Sequence, residues 1–324
     1  MAPIYLITAA SGHIGQRLVP LLLSLPSEPS VVLPTTNAKR LSSNLAEGVD
    51  KSRVHVVEGN MQDPNFVEAT LKEHKVTGVF LCLTSDNELF TTFNFLDSIR
   101  RAPTVKHLVY LSGSGDFGLD AVQNGLLKKT YAAHVAVKYM CEAKLMYGLP
   151  PRTEEGGYSW TIIGPSLFFD NDLRSKNAIL KDGYFDEPLG AAGVSRVDPE
   201  DIALAAAKAL EDDGQRWGGK KVSIGSLKTY TNEDVAKLWS KALGKDIRPA
   251  MSDKSSLDQF ERHYTKTGGP AWGRDLRLMY EMFNEYSFSM TEADYRNQVA
   301  LLGKEPASYE EFVERTANGW KAEV

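Results

Sequence analysis

Short runs rich in Val, Ile, Leu and Tyr alternate with longer segments of helical period along the first half of the chain, the pattern of a parallel sheet covered on both faces. The apolar runs predict strands over 3–8, 30–35, 53–58, 78–83, 106–112 and 158–163. Helices are expected over 13–24, where Pro20 should kink the helix or shift its frame, and over 65–74, behind Asp63-Pro64. Further helical periods cover 88–101 and 126–147.

Beyond Pro165 the rhythm changes. A helix over 198–211 is signalled by Asp198 as cap and Pro199 at its first position, and a strand is expected over 220–224. Thr231 followed by Asp234 caps a helix reaching 243, and the chain from about 252 reads as helical and aromatic. The expected architecture is α/β: a Rossmann doubly wound parallel sheet over 1–165, completed by a return of the chain within 194–225. Residues 166–193 and 226–324 then form a smaller, mainly helical substrate-side unit.

With 324 residues, 42% of them hydrophobic, the chain can bury a large core, and a net charge of −5 argues against nucleic acid or anionic membranes as partners. The short basic cluster from Arg216 to Lys221 reads as a solvated loop. Cys82 and Cys141 have neither metal-ligand nor Cys-x-x-Cys spacing and are expected to be buried thiols. The first strand runs straight into a glycine turn without a secretion signal, and no apolar stretch approaches the roughly 20 residues that span a bilayer. A cytoplasmic protein with a small-molecule substrate is the expectation.

The segment Ile4 to Gly15 is an apolar strand, a small-residue turn and a helix start. Such a turn lets the backbone of Ala10, Ser11, Gly12, His13, Ile14 and Gly15 approach a pyrophosphate at the helix N-terminus. At the end of the second strand there is no Asp or Glu for a ribose 2′-hydroxyl. Thr36, Asn37, Lys39 and Arg40 stand there instead, and favour NADP(H) over NAD(H) by offering hydrogen bonds and cations to a 2′-phosphate. The turn with Asn60 and Met61 follows the third strand, and Leu83, Thr84 and Ser85 end the fourth. Both are expected to pass close to the cofactor.

Several segments together resemble the NmrA-like family, an atypical branch of the short-chain dehydrogenase/reductase superfamily. They are the glycine turn, the Gly59-to-Asp63 turn, and Leu111-Ser112-Gly113. His134-x-x-x-Lys138-x-x-x-Glu142, the run from Trp160 to Asn171, Val197 to Ala203, and Leu302 to Pro306 with Glu311-Phe312 complete the set. The resemblance covers nearly the whole chain and implies cofactor contacts at Pro165 and Phe168. It implies either an NADP(H)-dependent reductase of quinones, enones or related carbonyl compounds, or a regulator that binds the dinucleotide without turnover. The chain departs from the family's pattern at Ala9, where the superfamily motif has its first glycine, at Gly164, where many members carry Arg, and in lacking Tyr-x-x-x-Lys.

His134 and Lys138 stand where that Tyr and Lys would, four residues apart on one helix face, with Tyr131 one turn earlier. Lys138 is a candidate to hold the nicotinamide ribose, and His134 or Tyr131 to supply a proton; Lys138 acting in cofactor binding alone is the alternative. Ser112 takes the place of the superfamily's carbonyl-binding Ser, or simply caps its strand. Phe168, Phe169, Tyr184, Phe185, Trp272, Tyr280, Met282 and Phe283 are candidates for an apolar pocket, of which about a third should touch ligand. The leading reading is an oxidoreductase; a protein-binding NAD(P) sensor and a non-redox isomerase or cyclase are its rivals.

Overall fold

The computed structural model describes residues 2–45, 48–83 and 87–322. The first half alternates β1 (Ile4–Ile7), α1 (Gly15–Leu23), β2 (Ser30–Thr35), α2 (Ala38–Ser43), β3 (Val54–Glu58), α3 (Pro64–Glu73), β4 (Gly78–Leu81), α4 (Glu88–Arg100) and β5 (His107–Leu111). Then come α5 (Leu119–Gln123), α6 (Leu126–Lys129), α7 (Ala133–Tyr147) and β6 (Ser159–Pro165). The second half holds β7 (Leu167–Phe168), β8 (Tyr184–Phe185), β9 (Val194–Val197), α8 (Pro199–Asp212), β10 (Lys220–Ile224), β11 (Thr229–Tyr230), α9 (Asn232–Leu243) and β12 (Arg248–Pro249). Helices α10 (Lys254–Gly268), α11 (Pro270–Glu285), α12 (Glu292–Leu302) and α13 (Tyr309–Ala322) close the chain.

Seven strands form one parallel sheet in the order β10-β6-β5-β4-β1-β2-β3. The chain winds outward from β1 through β2 to β3, then restarts at β4 on the other side. The carboxyl ends of β1 and β4 therefore flank a topological switch point, where such sheets bind ligands. Strand β5 is buried along its whole length because both faces are covered. Val109 and Leu111 join the core under α1 and α8, where a run of alanines lets α8 approach closely. Leu108 and Tyr110 point the other way, into the core with α3, α4 and α7.

One expectation is corrected here, and the return of the chain to the sheet is met by one strand. The helix expected over 126–147 is two helices, separated at 130–132. Of the stretch 194–225, only β10 enters the main sheet; β9 pairs with β7 and β11 in a small sheet of its own, whose partners become available once the chain leaves β6. The first helix begins at Gly15 and continues through Pro20.

The second half builds a further core in which Trp239 stacks on Trp320 with ring centroids 4.7 Å apart. At its centre lies a fully buried ion pair, Arg196 with Asp172. Asp172 also accepts hydrogen bonds from the Tyr309 hydroxyl and, at 3.0 Å, from the Trp239 indole N–H. The Arg196 guanidinium lies 4.6 Å from the centre of the Tyr309 ring. Among the described residues no helix is long and apolar enough to cross a membrane.

Removing one charge of such a pair leaves the other buried without compensation. Asp172→Asn should therefore lower the unfolding free energy in urea by about 3–5 kcal/mol, and adding Arg196→Met should recover part of that loss. Equal stability of Asp172→Asn and the parent would contradict this account.

Candidate functional site

The turn between β1 and α1 is shaped by three close approaches. Ala9 adopts a left-handed conformation, φ +51°. Glycine enters this region freely, whereas other residues pay roughly 1–2 kcal/mol. The Gly12 N–H donates to the Ala9 carbonyl at 2.9 Å. A Cβ on Gly15 would sit 2.3 Å from that same oxygen, so no side chain fits there. The backbone N–H groups of Ser11, His13 and Ile14 find no acceptor within the described chain, and the first turn of α1 contains no acid. Donors pointing out of a helix start, in a cradle a Cβ would fill, suit a diphosphate. Arg17 donates to the His13 carbonyl at 2.6 Å and to Asp170 at 3.1 Å, and His13 Nδ1 lies 3.3 Å from Asp170. Asp170 thereby ties the turn to the segment after β7.

At the end of β2, Thr36, Asn37, Lys39 and Arg40 are exposed. The Asn37 side chain caps α2 by accepting the Arg40 N–H at 2.9 Å, and Lys39 and Arg40 make no ion pair within the described chain. An acid does reach this corner, from β3: Glu58, in register with Thr35, accepts the Ala38 N–H at 2.8 Å. Asn60 closes the following turn by accepting the Gln62 N–H at 2.9 Å, and Met61 packs against the core shared by α3 and α4. Thr84 and Ser85 lie outside the described residues.

Beside the switch point opens a cavity of about 450 Å³. Lys138, His134, Ser112, Leu83, His13, Pro165 and Phe168 line it, and so do Trp272, Met282 and Phe283 among the expected aromatic and apolar candidates. Phe169, Phe185 and Tyr280 are core residues, and Tyr184 borders a smaller cavity. The Lys138 ammonium contacts the carboxylate of Glu88, which is buried at the start of α4, and donates to the Leu83 carbonyl at 3.3 Å. Glu88 also accepts the Tyr110 hydroxyl at 3.2 Å. Two of the three ammonium donors are thus committed, and one remains for a ligand.

Tyr110 and Ser112 lie two residues apart on one face of β5, and each donates to a buried carboxylate. For Ser112 the acceptor is Glu142, whose same oxygen takes the Lys221 ammonium at 2.8 Å. Burial raises the Glu142 carboxyl above its ordinary value, against the opposing pull of Lys221 and Ser112, and burial lowers the Lys221 ammonium against the pull of Glu142. Lys221 is therefore no part of a solvated basic loop: it lies on β10, with its ammonium 3.6 Å from the centre of the Phe117 ring. The glycine at 164 follows from this arrangement, since a Cβ there would lie 2.6 Å from the Gly113 carbonyl and 3.0 Å from Lys221 Cε.

The break before α7 changes the expected polar stripe. Ala132, the residue before α7, offers no side-chain cap; Asp275 on α11 supplies one by accepting the Ala133 N–H. Tyr131 falls in the break and does not share the helix face of Lys138. Its hydroxyl donates to Glu285 at 2.6 Å, and it is not among the residues that line the cavity. His134 is on the first turn and does line it. Its Nδ1 contacts Asp275, while Nε2 meets no hydrogen-bonding partner in the described chain. Burial raises the Asp275 carboxyl, but the hydrogen bond and charge of His134 and the two backbone N–H groups outweigh it and leave the carboxyl below its ordinary value.

Fold and site together define a Rossmann-type α/β protein with a glycine cradle and an apolar cavity at the carboxyl edge of the sheet. The NmrA-like family model matches residues 4–313, and the chain belongs to that family. An NAD(P)H azoreductase from Xenophilus azovorans is 26% identical over 267 residues, 82% of either chain. Triphenylmethane reductase from Citrobacter sp., solved with NADP(H), superposes with a TM-score of 0.73 at 17% identity over 97% of this chain and 99% of that one. NmrA, a negative transcriptional regulator solved with NADP, gives 0.68 at 15% identity over 97% and 95%.

Two outcomes test the local physics. Ala9→Gly should stabilise the protein by about 1 kcal/mol, the strain relieved exceeding the entropy that glycine adds to the unfolded chain; an unchanged or lower melting temperature would contradict the strained turn. Because the folded-state value for Asp275 is depressed, its contribution is present above the unfolded value near 4 and is lost as pH falls through the folded one. The melting-temperature gap between the parent and Asp275→Ala should accordingly be constant near neutrality and close below about pH 4.

Proposed function

We propose that this protein is an NAD(P)H-dependent reductase, with NADP(H) preferred, acting on an apolar conjugated acceptor such as a quinone, enone, carbonyl or azo compound. The observation that carries the reading is the meeting, on one apolar cavity beside a diphosphate-type cradle, of a lysine with one donor to spare and a histidine whose Nε2 is unengaged. The relative named for azo reduction and the neighbours solved with NADP(H) support it. The unpaired Lys39 and Arg40 support the preference for a 2′-phosphate.

When bound, the reduced nicotinamide supplies a hydride. The backbone N–H groups from Ser11 to Ile14 would hold the diphosphate, and the remaining Lys138 donor would hold a ribose hydroxyl. Glu88 and the Leu83 carbonyl keep that ammonium in place. Asp275 holds His134 by Nδ1, so that Nε2 is the atom that gives a proton to the reduced acceptor and takes one back from solvent. Ser112, its hydroxyl committed to Glu142, offers the cavity lone pairs rather than a donor. The role usually given to Tyr thus falls to His134. The apolar lining excludes water from the reacting atoms.

Calorimetric titration should show binding of NADPH, and tighter binding than NADH; the double substitution Lys39→Ala/Arg40→Ala should narrow that difference. Loss of NADPH absorbance with a panel of quinones, enones and azo dyes reports turnover. His134→Gln should lower kcat by about 10²-fold with NADPH affinity unchanged, whereas Lys138→Met should weaken NADPH binding itself. Absence of binding to either nucleotide would sink the reading, and tight binding without oxidation by any acceptor would favour a dinucleotide sensor.

A further inference from the structure

The charges that line the main cavity are not evenly matched. Lys138 is paired with Glu88, His13 with Asp170 and His134 with Asp275. Glu88, an acid on the lining, is consumed by Lys138. Arg174 is different. Its guanidinium donates to the Tyr264 hydroxyl at 3.1 Å and lies 5.8 Å from the centre of that ring, and it has no carboxylate at ion-pair distance in the described chain. The cavity wall therefore carries one cation without an ion-pair contact in the described chain.

Arg174 stands on a wall shared by two cavities. The smaller, about 70 Å³, is also lined by Asp186 and Glu187. Glu187 is buried, with one oxygen accepting the Tyr280 hydroxyl at 2.7 Å and the other unpartnered. Burial works against the charge of the guanidinium, but Glu187 from a distance and Tyr264 outweigh it and hold Arg174 above its ordinary value, and the two acids disfavour an anion in the small cavity. Arg174 is exposed to solvent and also lines the main cavity, whose wall includes Trp272, Leu276 and Phe283. A guanidinium with free donors beside an apolar wall is suited to two parallel hydrogen bonds with a carboxylate or sulfonate.

We propose that Arg174 forms a subsite for one anionic group, a carboxylate or sulfonate, carried by an otherwise apolar aromatic substrate. This deepens the reductase reading and rests on it for the word substrate. Binding of the anion itself does not depend on hydride transfer and can be measured apart from it. The segment that carries Arg174 also carries Asp170 and Asn171, so the anion subsite and the dinucleotide cradle are set by one short piece of chain.

The test uses 2-naphthoate and its neutral isostere 2-naphthamide, titrated calorimetrically into the full-length protein with and without NADP⁺. The parent should bind the carboxylate about tenfold more tightly than the amide, as expected of a charge-assisted bidentate contact. Arg174→Met should bring that ratio close to one, with melting temperature and NADPH affinity unchanged, and Arg174→Lys should keep part of it. Absence of naphthoate binding, a parent ratio near one, or a ratio preserved in Arg174→Met would each overturn the subsite. So would a fall in NADPH affinity in Arg174→Met, which would give the guanidinium to the nucleotide's phosphates. NADPH oxidation by neutral quinones reports on the reductase reading separately, because those acceptors do not need Arg174.

Discussion

The buried carboxylate of Asp172 is the constraint on which the site is built. It lies in the short 3-10 helix Phe169–Ser175, and Arg196, Trp239 and Tyr309 hold it from three other parts of the chain. Its neighbours in sequence reach in two directions. Asp170 binds Arg17 and His13 at the glycine turn, while Asn171 and Arg174 face the cavity. An ion pair inside an apolar core contributes little net stability when both partners are compared with apolar residues. Here its geometric consequence matters more: it anchors the short segment that runs from the glycine turn to the cavity wall.

A second regularity is the way charges are matched beneath and beside the cavity. Glu88, Lys138, Glu142 and Lys221 alternate in sign, and β5 adds a hydroxyl at each carboxylate. Low local dielectric makes each contact strong and makes any unmatched member costly. The arrangement fixes the position of Lys138 without the tyrosine that accompanies such a lysine elsewhere in the superfamily.

Much of the fold was legible in the sequence. Apolar runs of strand length, Pro and Asp at helix starts, and the glycine turn after β1 reflect local rules, and the seven-stranded sheet follows them. Local chemistry sufficed for the tight turn at Gly12 and Gly15 and for the place of Lys138 on α7, beside the cavity. The site was illegible where a partner comes from far along the chain. Asp275 reaches His134 across 141 positions and Glu88 reaches Lys138 across 50. The break at 130–132 escaped the periodicity because the cap that starts α7 comes from α11, and Tyr131 was misplaced as a result. Glu58 was missed for a similar reason: strand register, rather than sequence distance, brings it to the end of β2.

The double duty of Asp275 has a consequence for how this protein can move and change. One carboxylate serves the first amide of α7 and the imidazole of His134, yet it belongs to α11. Any rearrangement that draws α11 away from α7 removes the cap from the opening turn of α7 and releases the imidazole of His134 in the same event. The orientation of one ring is therefore tied to how closely α11 sits against α7.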